Sequence, residues 1–307
     1  YAYYLKQLGS PFGLSFIADV LAKHLELTRN LLALFRFKFD PRLHASSEDG
    51  DEQQMAQRTD RVERLAGKII DGLDEVENRN EDEVIRRYLA LLQATLRTNF
   101  FQSDESKSET PSLGKSEGEQ EYKPYISIKL ATRELDFAPR PRPMYEIFVH
   151  SPRFEGVHLR GGKIARGGIR WSDRFEDFRT EVLGLVKAQQ VKNAVIVPTG
   201  AKGGFIAREA DPTKGREAWL SEGIACYRMY IQGLLDITDN RQGDKVVHPD
   251  SVVVTDGEDP YLVVAADKGT ASFSDIANEI SEQRQHWLGD AFASGGSNGY
   301  DHKGMGI

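Results

Sequence analysis

The stretch QVKNAVIVPTGAKGGF, residues 190–205, decides how the rest of the chain is read. An apolar run, Ala194 to Val197, sits between Lys192 and the turn-prone Pro198, Gly200, Gly203 and Gly204. A short apolar run bounded by turn signals reads as a buried strand. Before it, Phe178, Val182, Leu185, Val186 and Gln189 follow a helical repeat, so residues 176–194 read as a helix feeding a strand at 194–198. Beyond it, GREAWLSEGIACYRMYIQGLLDIT (215–238) is a second helical pattern, with Cys226 as a core filler. SVVVTD (251–256) and YLVVAAD (261–267) read as strands, and SFSDIANEISEQRQHWLG (272–289) as a helix. Valine-rich strands alternating with helices predict an α/β domain with a largely buried sheet. YISIKL (125–130) and MYEIFVH (144–150) add strands, and GVHLRGG and KIARGGIRW read as strands or tight turns around glycine pairs.

Upstream of residue 103 the texture is helical. LSFIADVLAKHLELTRNLLALFRFKF (14–39) repeats its apolar groups at helical spacing, although the alternation of Phe35, Phe37 and Phe39 also fits a short strand. Asp40-Pro41 stops that element. HASSEDGDEQQ (44–54) reads as a loop. TDRVERLAGKIIDGLDEV (59–76) and NEDEVIRRYLALLQATLRTNFF (80–101) read as helices, the second capped by Asn80. Residues 103–123 hold almost nothing apolar and read as a polar linker or loop. The expected organisation is therefore a helical segment at 1–102, a linker at 103–123 and an α/β domain with a mixed sheet at 124–307, the two structured parts packing separately.

The composition narrows the function. With 39% hydrophobic and 28% charged residues over 307 positions, the chain is a globular one. A formal net charge of -7 gives no reason to expect nucleic acid. A single cysteine precludes an internal disulfide and any cysteine-based zinc site. No apolar run reaches membrane-spanning length. The chain carries no signal-peptide layout and both ends read as cut from something longer, with a cytoplasmic location expected.

In open α/β sheets ligands gather beyond the carboxyl ends of strands. On the strands read above, Lys202, Asp256 and Asp267 each follow a strand, Lys192 closes a helix, and Arg166 and Arg170 bracket Gly167-Gly168 in ARGGIR. Cations of this kind clamp carboxylates. Glycines let backbone close on a small substrate. A lysine crowded by cations and partly desolvated has its pKa pushed down toward a usable amine. Arg160, Lys163 and Lys187 read instead as surface cations. Neither a phosphate-loop pattern nor H-E-x-x-H, an EF-hand loop or G-x-G-x-x-G after a strand occurs, so no metal is expected and no dinucleotide is expected on this segment by itself.

These residues carry a resemblance. PRPMYEIFVHSPRFEGVHLRGGKIARGGIRWSDRFEDFRTEVLGLVKAQQVKNAVIVPTGAKGGF (141–205), YLVVAADKGTASFSDIANE (261–279) and WLGDAFASGGSNGYDHKGMGI (287–307) resemble the large bacterial NAD-specific glutamate dehydrogenases. LLQATLRTNFFQ (91–102) looks like the part preceding their catalytic core. The likeness implies oxidative deamination of L-glutamate to 2-oxoglutarate and ammonia, with NAD as cofactor. It implies a chain that supplies the substrate side and stops before the nucleotide-binding domain, inactive alone, working with the rest of the same polypeptide in a homo-oligomer.

Residue by residue, the family's substrate-binding lysine before a glycine pair falls on Arg166, which keeps the cation but alters its reach. Gly167, Gly168 and Arg170 complete that motif. The lysine before asparagine falls on Lys192, the catalytic lysine on Lys202 and the proton-relaying aspartate on Asp267. Two other readings stay open. A related amino-acid dehydrogenase needs one carboxylate clamp fewer. A non-catalytic assembly domain would place the function in the helices.

Overall fold

The structure, a computed structural model, describes residues 1–44, 51–103, 122–192, 199–266 and 272–297. Five helices come first: α1 (Ala2–Gln7), α2 (Leu14–Lys23), α3 (Leu25–Phe39), α4 (Asp51–Gly72) and α5 (Arg79–Ala94). Strands β1 (Thr95–Thr98), β2 (Ile126–Leu130), β3 (Tyr145–His150), β4 (Phe154–Arg160) and β5 (Ala165–Trp171) follow. Then come α6 (Phe178–Lys192), β6 (Thr199–Ala207), α7 (Arg216–Leu235), the hairpin β7 (Asn240–Gln242) and β8 (Lys245–Val247), β9 (Val263–Ala266), α8 (Phe273–Gln283) and β10 (Ala293–Ser294).

Eight strands form one mixed sheet in the order β1-β2-β3-β4-β6-β5-β9-β10. The β1 to β4 run and the β4–β6 pair are antiparallel, whereas β6–β5, β5–β9 and β9–β10 are parallel. The β5–α6–β6 unit is the strand–helix–strand crossover that a parallel pair requires. The expected α/β fold with a helical lead-in and a mixed sheet is what the chain adopts.

Side chains alternate across the sheet, so each strand serves two cores. On one face Ile128, Leu130, Phe148, Val157, Leu159 and Ile206 join α6 and the N-terminal helices in a single apolar cluster. On the other, Ile147, Val149, Ile169 and Phe205 pack with α7 and α8. The first cluster runs from Tyr4 to Ile206, across residues 103–123. The helical part and the sheet therefore do not pack as separate units: α2 to α5 pack on one another and share one apolar cluster with the sheet. Residues 104–121 lie outside the described residues.

Local readings need five corrections. Phe35, Phe37 and Phe39 belong to helix α3, where Phe35 and Phe39 meet one turn apart with tilted rings 5.3 Å between centroids. Residues 51–54 lie in α4 rather than a loop. Asn78, not Asn80, caps α5, its Oδ1 accepting from the Asn80 and Glu81 backbone N–H groups. That helix ends at Ala94, and Thr95–Thr98 becomes an edge strand paired with β2. Residues 251–255 are not a strand, because ion pairs to Asp256 and Asp259 hold this segment against the sheet instead. The strand expected at 194–198 lies outside the described residues.

Candidate active site

Lys202 stands inside β6, not beyond a strand end. The glycine-rich stretch is extended because its neighbours press on it from both faces. A Cβ on Gly203 would come within 2.9 Å of the Tyr230 hydroxyl, and one on Gly204 within 2.5 Å of Val182. Sheet register sets what surrounds the lysine. On one side Lys202 pairs with Leu159 of β4. On the other, β5 runs parallel, with Arg166 opposite Gly200 and Ile169 opposite Gly203. Gly168 is thus level with Lys202, about 4.8 Å away across the strands.

Alternation puts Arg166, Gly168, Arg170 and Lys202 on the same face, the one α6 covers. Gly168 contributes no side chain between Arg166 and Lys202 on that face. Arg166 is exposed and Lys202 half-buried. Gly167 points the other way and does different work: a Cβ would stand 1.6 Å from the Ala201 carbonyl oxygen, so β5 and β6 approach only if this residue is glycine.

Arg170 lies four residues beyond Arg166, about 13 Å along the strand. Its Nη1 donates to Glu181 Oε1 at 2.8 Å, and Ser172 Oγ donates to Glu181 Oε2 at 2.6 Å. Burial raises the Glu181 carboxyl, but the bonds from Ser172 and Arg170 outweigh it and hold the group below its ordinary pKa. Glu181 was not singled out in the sequence. Its signal is an acid in the first turn of a helix, where the partial positive charge favours an anion.

The backbone of Lys192 closes α6, while its side chain, like the whole of Asp267, lies outside the described residues. The described residues thus bring Arg166, Gly168 and Lys202 together and draw Arg170 toward α6.

Asp256 joins a different assembly on the opposite face. Arg97, Lys129 and Arg160 project from β1, β2 and β4 into three carboxylates. Arg97 pairs with Asp239 at 2.7 Å and Asp256 at 2.6 Å, Lys129 with Asp256 and with Asp259 at 2.5 Å, and Arg160 with Asp259 at 2.7 Å. The three basic side chains are at most 1% exposed. Arg160 is therefore no surface cation, because the carboxylate it needs arrives from a segment 99 residues away. Lys163 and Lys187 are exposed, as expected. Burial lowers the Lys129 ammonium's pKa even against the pull of Asp259 and Asp256. Asp259 moves the other way: burial raises it, yet Arg160 and Lys129 carry its carboxyl far below the usual range.

A cavity of about 670 Å³ lies between α7, the end of α8 and residues 123–125, lined by Asp236, Arg284 and His286 among others. It contains none of the candidate site residues. Among the described residues no group of three or more His, Cys, Asp or Glu side chains is arranged to hold a metal ion, and no helix is long and apolar enough to cross a membrane.

A family profile described as "Bacterial NAD-glutamate dehydrogenase, catalytic domain" matches residues 68–307, and one described as "Glutamate dehydrogenase, helical motif 3" matches residues 1–41. The chain is similar over its whole length to proteins named NAD-specific glutamate dehydrogenase. It is 55% identical to those of Halomonas elongata and Pseudomonas aeruginosa and 48% identical to that of Mycobacterium tuberculosis. It spans 18% of the length of each of these relatives. Among solved structures, a hetero-hexameric glutamate dehydrogenase from Thermus thermophilus aligns at 16% identity and a TM-score of 0.32, covering 57% of this chain and 34% of that one, too remote to assign residues.

Proposed function

Because the chain belongs to the bacterial NAD-glutamate dehydrogenase family, through its catalytic domain, we propose that it forms the substrate side of an enzyme that oxidatively deaminates L-glutamate to 2-oxoglutarate and ammonia. The observation that supports this reading is that Arg166, Gly168 and Lys202 share one face of adjacent parallel strands. A dicarboxylate needs cations at two points and a gap between them. Arg166 offers paired N–H donors to one carboxylate, and Lys192, at the end of α6, takes the other.

In this reading Lys202 presents its amine to the reacting carbon. It removes a proton from the water that attacks the imine formed at Cα, and Asp267 exchanges a proton with the substrate nitrogen. NAD, when bound, accepts the hydride from Cα. The β5-to-α6 connection does not fit a dinucleotide: residues 172–177 hold no glycine to admit a pyrophosphate. NAD is thus to be held by the rest of the longer polypeptide, working as a homo-oligomer.

Titrating 2-oxoglutarate into the chain by calorimetry tests the substrate side. Binding that Arg166→Ala weakens by roughly tenfold or more is expected, on the scale of a lost charge-assisted contact. Binding indifferent to Arg166→Ala would remove the reading.

A further inference from the structure

We propose that Gln7 is a positioning residue for the candidate site: from α1 it caps the first turn of α6, the helix that lies over the Lys202 face of the sheet and ends at Lys192, and so holds the binding lysine in place for substrate. The inference rests on the substrate-binding reading above. It begins with a helix end that needs a cap. The first four N–H groups of a helix have no partner within it. Asp177 stands just before α6, its carbonyl accepting from the Glu181 N–H at 3.2 Å, and an aspartate there ordinarily caps with its carboxylate. Here Arg174 takes both Asp177 oxygens, one of them at 2.9 Å. The Arg179 N–H is met by Gln7 Oε1 instead, at 3.4 Å and from 172 positions away.

The other end of the same amide completes the hold. Gln7 Nε2 donates to the Phe175 carbonyl at 3.3 Å, so one side chain spans the turn from Phe175 to Arg179. Gln7 is 3% exposed, and an amide is buried cheaply only where its donor and acceptor both find partners. Glu155 of β4 lies beside it: burial raises that carboxyl, and Arg208, Lys6 and Gln7 pull against the rise. Lys6, the preceding residue of α1, pairs with Glu176 at 2.7 Å. The Arg179 guanidinium binds both Glu146 oxygens at 2.7 Å, which leaves the backbone N–H of that residue to Gln7. Beyond this turn α6 presses on the site. Phe178, Val182 and Val186 share a cluster with Ile206 of β6, and Val182 stands 2.5 Å from where a Cβ on Gly204 would be. As α6 is one helix of 15 residues, about 22 Å long, a tilt at its first turn is carried to Lys192. Gln7 lies in the stretch matched by the helical-motif profile and α6 in that matched by the catalytic-domain profile. The cap is thus a point where the lead-in helices act on the substrate side. An amide has no proton to exchange with substrate, so its effect runs through position.

The test uses the full-length enzyme, steady-state kinetics with glutamate and a thermal melt. Gln7→Met keeps the length of the side chain and removes both bonds. It is expected to raise KM about three- to tenfold with kcat within roughly twofold of the parent, the split given by a weakened ground-state contact. A full ångström of displacement would cost about a hundredfold. Arg174→Ala frees the Asp177 carboxylate to cap α6 locally, and added to Gln7→Met it should bring KM back to within about twofold of the parent. In a Lys192→Ala background, which itself raises KM, Gln7→Met should add nothing, because the two act as one unit. A lowered Tm with unchanged KM makes Gln7 a structural cap alone and overturns the positioning role. So does a KM effect that persists in the Lys192→Ala background, or one that Arg174→Ala fails to relieve. These three results leave the substrate reading standing. An unchanged KM in Lys192→Ala overturns the substrate role of that lysine and the proposal with it. If Gln7→Met does not fold, Gln7→Asn, whose amide stops one methylene short, is judged by the same outcomes.

Discussion

Asp259→Asn removes one charge from a buried set of three cations and three carboxylates. In the parent, Asp259 accepts from Arg160 Nη1 at 2.7 Å, from Arg160 Nη2 at 2.8 Å and from Lys129 Nζ at 2.5 Å. Asparagine keeps the shape but leaves Arg160 without its paired carboxylate in a place where water does not reach it. Breaking a buried pair from one side costs about 3–5 kcal/mol. At roughly 2.1 cal/mol/K per residue, 307 residues give an unfolding entropy of about 0.64 kcal/mol/K, so Tm should fall by roughly 5–8 °C. Circular dichroism melts at neutral pH measure this, with Asp60→Asn as a control. Asp60 forms an exposed pair with Arg64, and its loss should move Tm by no more than about 1 °C. The acid side supplies a second reading. The folded-state pKa of Asp259 is depressed, so the unfolded chain binds the proton more readily. The stabilisation is complete above the ordinary value of 3.8 and is lost as pH falls below it toward the folded-state pKa. The variant should lose less stability across that window than the parent. A Tm drop under about 2 °C, or identical acid-side losses, would refute the claim that this network stabilises the fold.

In the full-length enzyme, Lys202→Ala should lower kcat by roughly 10²–10⁴-fold with a smaller loss of 2-oxoglutarate binding, as for a missing acid/base group. Lys192→Ala should show the reverse balance, losing about 2–5 kcal/mol of substrate affinity in direct binding. Near-normal turnover in Lys202→Ala would exchange the two roles. Gly167→Ala should destabilise the chain by about 3 kcal/mol or leave it insoluble, because its Cβ meets the backbone of Ala201, and an unchanged Tm would show that β5 and β6 have room to part. The Cys226 thiol, fully buried and pushed up to about 12 by burial and by Glu222, should resist a maleimide until the chain is unfolded, as mass spectrometry would read. Rapid labelling of native protein would contradict its packing on α7.

Local spacing carried what depends on local spacing. The stripe of Phe178, Val182 and Val186 specified α6, the alternation in YISIKL specified β2, and α6 between β5 and β6 made their pairing parallel. Arg166, Gly168 and Lys202 were legible as a set because residue type and glycine context are written in the chain itself. Their common face was not, since it depends on which residue of β5 stands level with which of β6. The same gap explains Thr95–Thr98. A helical pattern continues through it, and only the edge of β2 turns it into a strand.

The buried ions lie furthest from any local signal. Arg97 meets Asp256 across 159 positions, Lys129 meets Asp259 across 130 and Arg160 meets Asp259 across 99. An arginine in a strand reads as exposed until a carboxylate is shown to reach it, because an unpaired charge is too costly to bury. Composition and period marked most of the elements and the candidate site residues. Tertiary structure decided which charges left water, because desolvation is repaid only where partners from distant segments meet.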